Sequence, residues 1–473
     1  MIADLGPYAE YKEPGVPWLG QVPEHWAIVR AKAVYSCIDR RSTTGKEPLL
    51  TVSSARGVVP RTSVAVTMFK AASYVGHKLC WPDDLVINSL WAWAGGLGVS
   101  KYHGIVSTAY SVYRIRPAAP ALPAFLHYFL RSAPFHYELQ LRSKGIWISR
   151  LQLTDSSFLA APLPLPPLPE QASIVRFLDW ATRRVDRAIQ AKRRLVALLN
   201  EQKQAIIHRA VTQGLDPSVP MKASGIPWLG EIPAHWEVRR IGAFARVGNG
   251  STPARSNPSY WRGGHYPWLN SSQVHRGVIG SADQFVTTRA LAECHLPRLS
   301  HGAVLIAITG QGKTRGTAAI LAMDATINQH IAYIIPSRSI VSSAYLQAYL
   351  QASYVALRAM SEDAGSTKGA ITCRDLKSFG IAVPPMSQQA AIVAHLDGAT
   401  AGINSTIART QRQIGLLREY RARLVADVVT GKLDVRAFAA TLPDEVPDDI
   451  EAIEADVDED ADDDETGDGA DEG

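Results

Sequence analysis

The chain has 473 residues, 46% of them apolar and 20% charged, which is enough to bury sizeable cores and long enough for two or more domains. Its 49 Lys and Arg face 44 Asp and Glu, but 17 of those acids fall in residues 444–473, a stretch without a single base; residues 1–443 keep 27 acids and a net charge of +22. A basic body of this kind points to a polyanionic partner, and its apolar content excludes wholesale disorder.

The first distinctive element is GVPWLGQVPEHW, residues 15–26. Behind it, short runs rich in β-branched and aromatic residues predict strands at Leu85–Asn88 and Ala109–Ile115, and a helix is expected near Leu122 to Leu141. The Pro-rich run APLPLPPLP then opens a long helix, Glu170 to Thr212, which contains neither Gly nor Pro. Its apolar stripe passes through Ile174, Leu178, Ala181, Val185, Ala188, Leu195, Leu199 and Ile206 in steps of three, four or their sum, seven.

The order then repeats. GIPWLGEIPAHW at 225–236 matches the first motif at eight of twelve positions; strands follow at Ala303–Ile308 and Ile331–Ile335, and helix near Tyr345 to Met360. A second long helix spans about Gln388 to Thr430, opened by PMSQQAAIVAHLDGAT where the first has PLPEQASIVRFLDWAT. Gly398, Gly402 and Gly415 each cost this helix about 1 kcal/mol relative to Ala, so it needs a partner along its length. Either the two long helices pair antiparallel, with a domain at each end of the rod, or each packs on its own domain. The two copies agree at their edges and differ in their middles, as two binding surfaces for different targets would.

Together these elements resemble the specificity subunits of type I restriction-modification systems. The marks are the two Trp-Gly-Pro-His-Trp openings, the PLPxQxxIVxxLD start of the long helix with its near copy, and the Leu-Asp beyond each helix, with VINSLWAWAGGLGVSKYHGIVSTAYSVYRIRP at 86–117 in the first middle. The resemblance runs from residue 11 to about 436 and implies an α+β chain of two tandem-duplicated target-recognition domains. These domains are 1–168 and 217–384, and conserved long helices at 169–216 and 385–436 join and space them as a coiled coil; the acidic tail 437–473 departs from the family pattern and is expected to be disordered on its composition alone. The resemblance further implies a subunit without chemistry, each domain reading one half of a bipartite double-stranded DNA site. Two modification subunits, which use S-adenosylmethionine, would dock on the helices, and ATP- and Mg-dependent restriction subunits would complete the assembly. No cofactor is expected in this chain itself.

Rival motifs are weak. Ala307 to Thr314, AITGQGKT, loosely fits a phosphate loop, but the strand-like Ala318–Ala322 follows where that motif requires a helix. The two Pro-Pro sites lack the polar and aromatic neighbours of an amino-methyltransferase, and no D/ExK triplet has a suitable upstream Pro-Asp. Cys37, Cys80, Cys294 and Cys373 have no metal-like spacing and read as reduced thiols of a cytoplasmic protein; no run approaches the roughly 18 apolar residues that span a bilayer. His25 and His235 recur with their tryptophans and read as packed joints.

DNA contacts are therefore expected in the divergent middles. In the first domain these are Arg56, Asn88, Lys101, Tyr102, His103 and Lys144, with Arg61 as a further base. In the second they are Ser271, Gln273, Arg276, Lys313, Arg315 and Lys368, with His275 beside them. Asn and Gln suit adenine edges, whereas Arg and Lys suit guanine or phosphate. Trp91 and Trp93 are expected in the core.

Overall fold

The computed structural model describes residues 5–64, 71–145, 151–310, 314–362 and 369–443; the acidic segment 444–473, Lys313 and Lys368 lie outside them. The chain divides into two compact units, residues 1–193 with 411–473, and residues 194–410. Each long helix thus gives one part of itself to each unit.

In the first unit Tyr11–Lys12 pairs antiparallel with Val22–Pro23, and Ala27–Arg30 pairs antiparallel with Pro162–Leu165. The main sheet is antiparallel throughout, in the order Tyr35–Ile38, Tyr110–Ile115, Leu85–Asn88, Leu97–Val99. Leu85, Val86 and Ile87 are all buried, which explains why this strand reads as a continuous apolar run rather than an alternating one. The single helix expected near 122–141 is two, Pro123–Leu130 and Ala133–Arg142. Pro134 cannot donate to a preceding carbonyl and its ring would crowd the carbonyl of Leu130, so the chain re-starts at Ser132.

The second unit repeats this plan. Met221–Ala223 pairs with Glu231–Pro233, and Glu237–Arg240 with Gly380–Val383, both antiparallel. The first four strands of its five-stranded sheet follow the same order: Ala245–Asn249, Ile331–Pro336, Val304–Ala307, Ala318–Leu321. Val278–Ile279 adds a parallel edge, and Gln284–Val286, Tyr266–Leu269 and Thr326–Ile327 form a second sheet, whose parallel pairing of Tyr266–Leu269 with Thr326–Ile327 is matched in the first unit by a single parallel bridge, Leu49 to Ile105. Helices Ser343–Ala352 and Tyr354–Glu362 stand where the first unit has its split pair.

The long helices run Leu168–Gln213 and Met386–Val429, each without interruption. The three glycines of the second meet nothing within 4 Å where a Cβ would stand, so they lower its intrinsic stability without opening a packed contact. Both expected packing modes occur. In the first unit Asp186 pairs with Arg421 at 3.0 Å and Lys192 donates to Gln413 at 2.7 Å, one number falling as the other rises, while Val185 and Ile189 pack with Ile414 and Leu417. The helices are therefore antiparallel there. In the second unit Lys203 donates to Asn404 at 2.7 Å.

Each core also takes the start of one helix and the end of the other. Ile174, Phe177 and Leu178 join Val425, Val428 and Val429 in the first unit's core; Ile392 and Leu396 join Ile207, Ala210 and Val211 in the second.

Candidate nucleic-acid interface

Two joints fix each domain to its helices. Gln171, fully buried, accepts from the Leu122 N–H at 2.8 Å and donates to the carbonyls of Pro120 and Pro166, each at 2.8 Å. Gln389 repeats this with the Ser342 N–H and the carbonyls of Ile340 and Pro384. One residue earlier the copies differ. The Glu170 carboxylate, 5% exposed, accepts from Tyr8 Oη at 2.7 Å and Trp26 Nε1 at 2.8 Å, and meets His25 Nε2 at 2.7 Å; burial and this carboxylate hold the Tyr8 phenol well above its ordinary range. Gln388 Oε1 serves Trp236 Nε1 at 2.9 Å and His235 Nε2 at 3.0 Å. The expectation of packed joints thus holds for Trp26 and Trp236, which are buried, and is corrected for His25 and His235, which bond to the same helix residue but stay exposed.

In the second unit one end of the main sheet gathers Asn249, the turn Asn328–His330 and the segment after Ala307. Gln329 Oε1 accepts from Thr252 Oγ1 at 2.5 Å, Gln329 Nε2 meets His330 Nε2 at 3.3 Å, and His330 Nδ1 meets Thr309 Oγ1 at 2.7 Å. The backbone beneath is tight: Ser251 N–H donates to the Ile327 carbonyl, and a Cβ on Gly250 would collide with that carbonyl, so only glycine fits.

The same sheet end in the first unit is aromatic. Beyond Asn88, Leu90 and Trp91 are 44% and 45% exposed, and Trp91 stacks on Trp93 with ring centres 5.8 Å apart. Trp93 Nε1 donates to the Leu90 carbonyl, and Gln140 donates to the Trp93 carbonyl, fixing the turn. The expectation that both tryptophans lie in the core is corrected: the turn Ala92–Ala94 buries Ala92, turns the Trp91 ring out and leaves Trp93 half-buried against it.

Asn88 and Lys144 fall at this aromatic end, since Lys144 pairs with Gln152 and Leu153 N–H donates to the Ser89 carbonyl. Asn88 spends its Oδ1 on the Leu90 N–H. Lys101, Tyr102 and His103 are exposed at the opposite end, beyond Leu97–Val99, with His103 against Trp81 at 5.1 Å. Arg56 sits on the hairpin tip between Leu50–Ser53 and Gly57–Pro60 and donates to the Ser63 carbonyl at 2.7 Å; Arg61 stands just past the second of those strands. Arg131 ties that tip down through the carbonyls of Ser54, Ala55 and Leu97. Burial, with Arg421 nearby, lowers the Arg131 pKa to about 10, so it stays charged; burial beside Arg131 lowers that of His127 to about 3.

Ser271, Gln273, His275 and Arg276 share one 3-10 turn, Ser271–Arg276. Two candidates of the second domain need correction as exposed readers. Gln273 is 2% exposed and donates to Asp283 at 2.9 Å; Arg315 is 4% exposed and donates to the Gly369 carbonyl at 2.5 Å. Both brace loops from within, because an inward polar group must find a partner there. Arg276 is exposed and pairs with Asp283 at 3.2 Å. Past the Walker-like loop the chain turns through Thr314–Gly316 into the strand Ala318–Leu321, without the helix that a phosphate loop opens. Sequence reasoning missed Thr252, Thr309, Gln329 and His330; lying up to 78 residues apart, they carried no local motif.

Among the described residues no helix is long and apolar enough to cross a membrane, and no cluster of His, Cys, Asp and Glu could hold a metal. A family profile described as "Type I restriction modification DNA specificity domain" matches residues 233–414. The Escherichia coli K12 type I restriction enzyme EcoKI specificity subunit is 23% identical over 458 residues, covering 89% of this chain and 95% of that protein. The Escherichia coli EcoR124I/EcoR124II specificity subunit is 24% identical over 298 residues, 62% of this chain and 67% of that one. A chain from a structure titled for complex assembly and conformational transition of the type I R-M system superposes with a TM-score of 0.58 at 20% identity, covering 87% of this chain and 99% of that chain, which establishes the shared fold.

Proposed function

We propose that this chain, a member of the type I restriction-modification specificity subunits, is the DNA-recognition subunit of such a system, each unit reading one half of a bipartite site. One observation carries the reading: the same four-strand order and the same glutamine clamp recur in both units, while the loops at one sheet end differ entirely. A repeated frame with divergent tips fits one task performed on two sequences. The reading places catalysis in partner subunits: modification subunits that use S-adenosylmethionine, docked on the duplicated joints and helices, and restriction subunits that use ATP and Mg. It places the complex in the cytoplasm, where double-stranded DNA is met.

The basic body supports the same reading, since each neutralised phosphate releases counterions and binding should weaken steeply with salt. The test is methylation of a randomised DNA library by this chain with its modification subunits. A bipartite motif with a fixed gap is expected, and methylation without sequence preference would falsify the proposal.

A further inference from the structure

We infer that Gln329 is a base-reading residue of the second unit and that it reads an adenine from the major groove. This rests on the DNA-recognition reading and names the chemistry of one contact within it. Gln329 lies on the turn between Thr326–Ile327 and Ile331–Pro336, is exposed, and has its amide held by Thr252 on another segment and by the adjacent His330, which Thr309 holds in turn. Oε1 stands on the Thr252 side and accepts from Thr252 Oγ1 at 2.5 Å. Nε2 faces His330 Nε2 at 3.3 Å and donates to it; the ring proton then resides on Nδ1 and is given to Thr309 Oγ1 at 2.7 Å.

These bonds use one lone pair of Oε1 and one hydrogen of Nε2. An amide has two of each, so an acceptor and a donor remain side by side on an exposed group. That pair complements the donor and acceptor that adenine N6 and N7 present in the major groove. The cost of ordering the side chain is already met, because Thr252 and His330 hold it before DNA arrives. The platform beneath is stiff as well. His330 N–H donates to Asn328 Oδ1 at 3.0 Å, Asn328 N–H to the Leu269 carbonyl, and Trp268 Nε1 to the Ser251 carbonyl at 3.1 Å. In the first unit, Tyr110 pairs with Asn88 where Ile331 pairs with Ala307, so Thr108 and Ala109 take the places of Gln329 and His330. The device belongs to one half-site only.

The test uses this chain expressed with its modification subunits, with methylated positions read from a randomised double-stranded DNA library. A wild-type complex without sequence preference overturns the DNA-recognition reading itself, before any variant is compared. With a bipartite wild-type motif, Gln329→Ala is expected to relax one A·T position in one half-site, by on the order of tenfold to a hundredfold in preference, and to leave the other half unchanged. Gln329→Glu keeps the shape and the acceptor for Thr252 but offers DNA only acceptors, and should shift that position toward the amino group of cytosine. An unchanged motif with Gln329→Glu, a uniform loss across all positions, or relaxation at a G·C pair overturns the assignment.

Discussion

The two sheet ends carry opposite surfaces on one frame. In the first unit the strand Leu85–Asn88 runs out into exposed Leu90 and the stacked Trp91 and Trp93. In the second, the matching strand Val304–Ala307 runs out toward a hydrogen-bonded polar network of Thr309, His330, Gln329 and Thr252. In both units the clamps at Gln171 and Gln389 make the same three backbone bonds. The difference teaches that frame and reader are separable: buried amides that hold the backbone repeat, and the exposed tips are where the copies part.

The sharpest way to break this equivalence is at the clamp. Gln171→Ala and Gln389→Ala each strand one buried N–H and two carbonyls, and each should destabilise its own unit by about 3 kcal/mol, read by thermal unfolding. Markedly unequal losses would end the idea of equivalent frames. Acid should then separate the units. His127 stands where the second unit has Gln347, and its pKa of about 3 lies below the ordinary value of about 6.5. The unfolded chain therefore takes up a proton that the folded chain refuses. Stability from this group is full above pH 6.5 and falls as pH drops toward 3, by up to about 2 kcal/mol at pH 5. His127→Gln should flatten that slope in the first unit, and no change in slope would sink the argument.

A milder exchange tests the joints. Glu170→Gln gives the first unit the residue of the second; it keeps an acceptor for Tyr8 and Trp26 but loses the carboxylate facing His25, a cost of about 1–2 kcal/mol. Gln388→Glu should cost less than about 1 kcal/mol, because its exposed His235 gains an ion-pair partner. Equal costs would show that the charge at Glu170 is incidental. The smallest effect on folding is expected for Trp91→Ala, which loses one exposed stack, about 1 kcal/mol or less. Binding to a duplex carrying the methylated motif should nevertheless weaken several-fold, and unchanged affinity would remove the aromatic tip from the interface.

Much of the frame was legible in the residues. The strand at Leu85–Asn88 and the long helices lie within two residues of where apolar runs and stripes put them, because burial is written in local periodicity. The split at Arg131–Ser132 was available in Pro134 and was overlooked. The interface was far less legible. Gln273 and Arg315 have the composition of readers but point inward, and Trp91 has that of a core residue but points out, since side-chain direction at a loop depends on what packs beneath it.

The sequence by itself determined that the chain is duplicated, that each copy mixes strands with helices, and that two long apolar stripes need covering; repetition and periodicity are local properties that survive without coordinates. Only the tertiary structure decided that each core takes the start of one long helix and the end of the other, and that Thr252, Thr309, Gln329 and His330 meet. Those outcomes depend on which apolar surfaces close together and which hydrogen bonds can be completed across distant segments, a choice that only the folded chain makes.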